Sequence, residues 1–389
     1  MRAAVIGASS ESLHGIKVAQ QLGYDVVALD GNPEAAGLRA ADSGLVVDIT
    51  DPVAVFAALG DAPDIVIPVP IGRYLTTTGV VNDRFGLPGV SETSARLCTD
   101  KYEFHRVMEL HSLRSTTAIL IPAGSVDHPL PAQFPVVLKP RFGSGSRGVT
   151  VCMTSDELEN ALLTVLPSRD DLIIEEFAEG TEYGVDAAVV DGALRVILLR
   201  EKLNTPLPYR QAIGYYSMPA EHPMQAAAAA ALAIAVDALK ITSGLLHADL
   251  IERDGRAFIV ELSARPSGHH LHDLFTPLAS GVDPIREFLL AARDGADAAH
   301  FAPSASDALL MRFFDFDHGT VAAAPDMTAL AQTVDLVEFE ERIVGREMIP
   351  VTNGPELMQR GFFIVRGTDR ADLGRQADAV LTAFTFEGA

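Results

Sequence analysis

The stretch from His247 to Arg265 gathers the side-chain types best suited to chemistry: two acids, Asp249 and Glu261, a hydroxyl at Ser263 and a cation at Arg265. Arg253-Asp254-Gly255 reads as a three-residue hairpin loop with glycine at the left-handed position. That register sets Asp249 opposite Ile259 and His247 opposite Glu261. It places His247, Asp249, Glu261, Ser263 and Arg265 on one face, and Leu250, Phe258, Val260 and Leu262 on a core face. Diagonal neighbours such as Asp249 and Glu261 then lie ~7–8 Å apart at the backbone, so their carboxylates converge. Two converging acids repel unless a cation joins them. Hard oxygen ligands beside a phosphate-neutralising cation suit magnesium held between protein and nucleotide. A two-residue turn at Asp254-Gly255 would instead put the two acids on opposite faces, and the face would then be ordinary solvated acids and an arginine.

A second segment runs Pro135-Val136-Val137-Leu138-Lys139-Pro140 into Arg141-Phe142-Gly143-Ser144-Gly145-Ser146-Arg147-Gly148. In a Walker loop the lysine follows the glycines and opens a helix. Here Lys139 precedes them, and β-branched Val149-Thr150-Val151 follows, so the pattern is strand, flexible loop, strand. Such a flap can lay backbone amides over phosphates, although a glycine-serine hairpin loop is also a common mobile turn. Lys101 falls at the positive end of an expected helix, an unfavourable place that an anionic ligand would relieve. The run Leu172 to Glu182 ends an apolar strand in several acids, read either as a purine-and-ribose edge or as an acidic surface turn.

These groups need a scaffold, and the chain supplies one. Its 389 residues are enough for two or three domains, and 48% hydrophobic against 21% charged residues describes a folded globular protein. Lys plus Arg number 30 against 52 Asp plus Glu, a formal charge of -22. That excess argues against nucleic acid or an anionic membrane as partner, so anionic ligands must be caught by a few placed cations. Two cysteines, Cys98 and Cys152, exclude a disulfide framework. No apolar run approaches a membrane span, and the Met-Arg-Ala-Ala-Val-Ile-Gly start lacks a signal-peptide layout. A cytoplasmic protein is the expectation.

Strand signals at Ala3 to Ile6, Asp25 to Leu29, Val46-Val47 and Ile65 to Val69 alternate with helical stretches Ile16 to Leu22 and Pro52 to Leu59. Buried strands separated by helices imply a doubly wound parallel sheet, with ligands near Gly7, Asp30 and Pro68 to Gly72. Gly7 alone is a tight turn rather than a dinucleotide fingerprint, because Ser9 and Ser12 hold the later glycine positions. Further on, Asp191-Gly192 marks a hairpin, Gln225 to Leu239 a helix, and Phe313, Phe314 and Phe316 core.

Taken in this order, the pieces resemble the ATP-grasp superfamily, and within it the carboxylate–amine ligases such as the L-amino acid ligases. Glu261-Leu262-Ser263-Ala264-Arg265 is similar to the family's Glu-x-Asn-x-Arg signature, with Asp249 as the other metal carboxylate. The resemblance implies a multidomain α/β and α+β chain. Its parts would be a doubly wound N-terminal domain (1–95), an ATP-grasp region (96–300, lid about 115–180) and a C-terminal α+β cap (301–389). It implies ATP and Mg2+ as cofactors, with Mn2+ as an alternative ion. Lys101 and Lys139 would contact phosphates, and Gly143, Ser144, Gly145 and Ser146 would belong to the lid. Glu175, Glu176 and Ala178 would line the adenine site, Glu182 would bind ribose, and Lys202 would approach the γ-phosphate. Asp249, Glu261 and Ser263 would hold metal, with Ser263 standing where the family has asparagine.

The implied activity is coupling of a small carboxylic acid, an amino acid among the candidates, to an amine through an acyl phosphate. Lys139, Lys202 and Arg265 would act on the reacting groups. Ser267, Gly268, His269 and His270 would wall the substrate pocket, with His269 or His270 as proton acceptor. Three close histidines, His269, His270 and His272, could ligate zinc, but no second cluster of ligands is evident, so a substrate-pocket wall is favoured ahead of a plain structural loop and of zinc. Two readings compete: a purine-pathway relative activating bicarbonate or formate, and a non-catalytic ATP-binding subunit. Neither substrate nor oligomeric state is readable, and a homo-oligomer is left open.

Overall fold

The computed structural model describes residues 1–114, 118–125, 131–165, 170–305 and 307–388; the expected lid boundary at 115 lies outside them. The chain divides into two compact units. One comprises Met1–Ala118, Gly184–Leu198 and Pro223–Ser304, the other Ile119–Tyr183, Leu199–His222 and Ala305–Ala389.

The first unit opens with a four-stranded parallel sheet ordered Ser43–Val46, Asp25–Asp30, Arg2–Ile6, Ile65–Val66. Ala3, Ala4, Val5 and Ile6 are all 1% exposed or less, as expected of a strand covered on both faces. Helix Pro52–Leu59 begins where Asp51 caps the Val53 amide and proline takes the first turn. Helices Glu92–Thr99 and Lys101–Leu110 break at Asp100, whose carboxylate accepts from the amides of Tyr102 (3.1 Å) and Glu103 (3.3 Å). That cap fixes Lys101 as the first helical residue. The alanine-rich stretch is helix Met224–Ala238, which buries Ala228, Leu232 and Ala235. It packs on the strand Arg256–Ser263.

In the second unit, strands Ile119–Ile121, Leu172–Glu176, Val136–Pro140 and Thr150–Cys152 form an antiparallel sheet in that order. Its core joins Val136, Leu138, Cys152, Leu172 and Ile174 to Leu158 and Leu162 of helix Ser155–Val165. The same unit carries an antiparallel run ordered Ala212–Ser217, Ala308–Phe313, Gly361–Gly367, Leu336–Glu341. Phe314 anchors its core, its ring centroid 5.0 Å from Phe384 and 5.6 Å from Phe363. No helix among the described residues is long and apolar enough to cross a membrane.

Candidate active site

The acidic hairpin departs from expectation at its turn. Strands Gly244–Arg253 and Arg256–Ser263 are joined by a two-residue turn, Asp254-Gly255, with left-handed φ of 54° and 74°, not by a three-residue loop. Arg253 pairs with Arg256 and Leu250 with Ile259; continued unchanged, that register would turn Asp249 and Glu261 to opposite faces. A β-bulge at Val260 shifts it by one residue, so Asp249 stands directly opposite Glu261 and His247 opposite Ser263. The expected diagonal pair is therefore corrected to a facing pair on the same side of the hairpin. The bulge has outside support. Arg114 Nη1 donates to the Val260 carbonyl at 2.9 Å, and the Ile259 amide donates to Leu113 O at 3.3 Å. Turn chemistry contains no information about partners so distant in sequence.

Like charges facing each other across a ladder destabilise it, and neighbouring groups oppose this. Lys101 Nζ lies 3.8 Å from Glu261 Oε1. His247 Nε2 is 3.5 Å from Asp249 Oδ1, and its Nδ1 is 3.5 Å from Asp186 Oδ1. Asp186, only 4% exposed, also accepts from Thr276 Oγ1 at 2.5 Å. Sequence reasoning passed over Asp186, although one acid inside the apolar run Tyr183-Gly184-Val185-Asp186-Ala187-Ala188-Val189 was its signal. Burial pulls the Arg265 guanidinium below its ordinary value, while Glu261, Glu11, Asp249 and Asp186 pull it back up. It remains a cation, with Nη1 donating to Pro266 O at 2.7 Å.

The donor set fits magnesium. The Asp249 and Glu261 side chains keep 29% and 35% of their surface exposed, although Asp249 Oδ1 is buried, and Ser263 adds a hydroxyl on the same face. Magnesium typically takes one or two protein carboxylates and keeps its remaining positions for water and phosphate. Among the described residues no three or more His, Cys, Asp or Glu side chains gather to hold a metal by themselves, and His269, His270 and His272 follow that rule.

The nucleotide residues expected on the second unit occupy its four-stranded sheet and neighbouring segments. Val137 pairs with Glu175 and Lys139 with Ile173 on adjacent strands, which brings Lys139 Nζ to 2.6 Å from Glu175 Oε1 with both side chains buried. The resemblance gave these two residues separate tasks; the structure makes them one ion pair. Glu176 is exposed and Ala178 half-buried at the end of that strand. Gly143, Ser144, Gly145 and Ser146 lie in the loop between the paired strands Val136–Pro140 and Thr150–Cys152. The Gly354 amide donates to Gly145 O at 3.2 Å. Glu182 meets Arg210 Nη2 at 2.5 Å, and the Arg210 guanidinium lies 5.2 Å from the Phe177 ring centre. Lys202 pairs with Tyr215 in an antiparallel ladder.

After Arg265 the chain enters the histidine loop. Ser267 is fully buried, and its Oγ has no hydrogen-bond partner among the described residues. His270 Nδ1 lies 3.3 Å from Asp273 Oδ2. Burial works to raise the Asp273 carboxyl, but the His270 hydrogen bond and the two neighbouring imidazoles hold it below its ordinary value. Burial also pushes the His272 imidazole down.

A family model described as an ATP-grasp domain matches residues 132–272. The crystal structure of the L-amino acid ligase from Bacillus licheniformis matches with a TM-score of 0.78 at 17% identity, over 99% of this chain and 98% of that one. Residues 132–272 thus match an ATP-grasp domain, and the chain shares the fold of that ligase. In sequence, the formate-dependent phosphoribosylglycinamide formyltransferase of Bacillus subtilis is 27% identical over 41% of the chain, and the D-alanine–D-alanine ligase of Fervidobacterium nodosum is 27% identical over 36%. These matches span 44% and 46% of the relatives' own lengths. The ATP-grasp domain match takes in Lys139, Glu175, Asp249, Glu261 and Arg265 and stops short of Lys101.

Proposed function

We propose that this ATP-grasp chain is an ADP-forming ligase that activates a small carboxylic acid as an acyl phosphate and couples it to an amine. The facing carboxylates Asp249 and Glu261, with Lys101 3.8 Å from the second and Arg265 two residues past the hairpin, carry the reading. Two facing carboxylates are hard oxygen donors suited to a divalent cation. Magnesium or manganese held there would supply charge neutralisation for the phosphoryl group being transferred.

A carboxylate and an amine do not condense at neutral pH, so the acid must gain a leaving group. Attack of the carboxylate on a γ-phosphate brings two anions together, and Lys101, Lys139 and Lys202 are assigned to neutralise and position them. Glu175, Glu176 and Ala178 are assigned to the adenine and Glu182 to the ribose, with the loop carrying Gly143 to Ser146 closing over the phosphates to exclude water. Arg265 would hold the oxyanion that forms when the amine attacks. The division of the chain at about residues 95 and 300 is proposed together with these roles.

The match to a formate-dependent enzyme favours a second reading, in which the acid is formate or bicarbonate. One assay separates the two. Phosphate release is measured with ATP, magnesium and either pairs of amino acids, formate or bicarbonate, with mass spectrometry of the products. An amide from the amino-acid arm supports the ligase. Turnover confined to formate or bicarbonate replaces its substrate, and ATP binding without turnover in any arm refutes catalysis. Arg265→Ala should reduce product about 100-fold or more, the scale of losing an oxyanion donor, while ATP affinity changes little. Turnover preserved with ATP binding lost would contradict the role given to Arg265.

A further inference from the structure

Helix Leu75–Phe85 turns Leu75, Thr78 and Asn82 onto one face, and all three line a cavity whose wall also includes Leu245, Arg265 and Phe288. Its volume is about 20 Å3, room for about one water. Thr78, Asn82 and Arg265 bring the polar side chains of this lining, and the remainder is apolar or glycine. Asn82 is 3% exposed, and its Nδ2 donates to Val90 O at 2.9 Å. A carbonyl only accepts, so that bond fixes which end of the amide is nitrogen. Oδ1 is thereby left buried, with no hydrogen-bond partner among the described residues. The seat is shaped for this side chain: a β-carbon on Gly89, whose φ is 141°, would come within 2.6 Å of Asn82 Nδ2. A buried acceptor without a donor costs stability. Arg265 stands in the opposite position. A guanidinium carries five N–H donors, and the bond from Nη1 to Pro266 O is the one that Arg265 makes among the described residues. An acceptor short of a donor and a cation with donors to spare thus line the same small cavity.

We propose that one ordered water in this cavity joins Asn82 Oδ1 to the Arg265 guanidinium, which makes Asn82 a positioning residue for Arg265. The water accepts from an Arg265 N–H and donates to Asn82 Oδ1 and to Thr78 Oγ1. Those three bonds are the usual number for a buried water. The proposal rests on the ligase reading, in which Arg265 holds the oxyanion formed as the amine attacks. A guanidinium tethered beforehand meets the developing charge without reorganising, and that is where such a donor gains its effect. Asn82 touches neither substrate nor nucleotide in this account; it acts through the water on Arg265.

Two measurements test the link. A crystal structure of the protein should show water density at about 2.7–3.2 Å from both Asn82 Oδ1 and an Arg265 nitrogen. No water there, at a resolution that shows other buried waters, would overturn the proposal. The kinetic arm measures phosphate release with ATP, magnesium and a mixture of the twenty common amino acids, formate and bicarbonate. Asn82→Leu keeps the side chain's size and removes the acceptor. It should lower kcat about 10-fold, with the KM for ATP within about twofold of wild type. Thr78→Val, which removes one of the water's partners, should lower kcat about threefold. Val55→Ala, in the core of the N-terminal sheet, supplies the control for lost stability: its melting temperature should fall while kcat stays within about twofold. A kcat unchanged in Asn82→Leu, or an equal loss of kcat in Val55→Ala, would show that Asn82 serves the fold alone. Wild-type protein without turnover would remove the ligase reading instead, and the density at Asn82 would still decide the water. Thr78→Val carries the kinetic arm if Asn82→Leu does not fold.

Discussion

Two charge pairs in this molecule are built on opposite principles. In the second unit Lys139 and Glu175 meet at 2.6 Å, each 5% exposed or less, so opposite charges are paired in a buried setting. In the first unit Asp249 and Glu261 face each other across the hairpin with about a third of each side chain exposed. The first arrangement stores charge where the fold needs it complete. The second sets like charges side by side in a part-exposed setting, with Lys101 3.8 Å from Glu261. A surface that functions by binding a cation has to be less stable alone than it would be with its charge removed, whereas a sealed pair depends on both members.

Stability measurements can break this contrast. Lys139→Met should cost about 3–5 kcal/mol in urea unfolding, because it strands a buried carboxylate, and Lys139→Met with Glu175→Leu should recover most of the loss. A single variant as stable as wild type would mean the pair is not sealed. Asp249→Asn should do the reverse: without metal it should be no less stable than wild type, gaining up to about 1 kcal/mol as a like charge across the ladder disappears. Magnesium should then raise the melting temperature of the wild type more than that of the variant. Destabilisation by Asp249→Asn in the absence of metal would show that the acids support the fold rather than serve a ligand.

A third pair sharpens the scale between these extremes. His14 Nε2 lies 2.9 Å from Asp283 Oδ2, with side chains 24% and 22% exposed. Burial works against the His14 charge, but the Asp283 hydrogen bond and charge outweigh it and raise the imidazole above 6.5. Burial likewise works to raise the Asp283 carboxyl, yet His14 holds it below 3.8. The histidine's contribution is complete below 6.5 and lost as pH rises through its raised value. The aspartate's is complete above 3.8 and lost as pH falls through its lowered value. His14→Gln should therefore cost about 0.5 kcal/mol near pH 5.5 and nothing near pH 9. An equal cost at both pH values would show that packing, not charge, holds His14.

Much of this was legible in the order of residues. Helix Pro52–Leu59, the hairpin at Asp191-Gly192 and the parallel strands of the N-terminal sheet follow from caps, turn residues and apolar runs, all of which act over a few positions. Glu261-Leu262-Ser263-Ala264-Arg265 carried the family resemblance because metal and oxyanion chemistry ties residue types to a fixed spacing on one strand. The turn at Asp254-Gly255 was misjudged for a related reason: loop type was read locally, and a bulge fastened by Arg114 restored the face that the shorter turn would have lost.

By itself, then, the amino-acid order determined which residues can do chemistry and which segments are strand or helix, since both depend on neighbours along the chain. The tertiary structure decided that Asp249 faces Glu261 squarely, that Lys139 is paired with Glu175, that Asp186 is drawn to His247, and that Glu11 meets the loop beyond Arg265. Each depends on a contact between residues 12 to 258 positions apart. Coulomb and hydrogen-bond forces act over a few ångströms of space and are indifferent to the length of chain between partners.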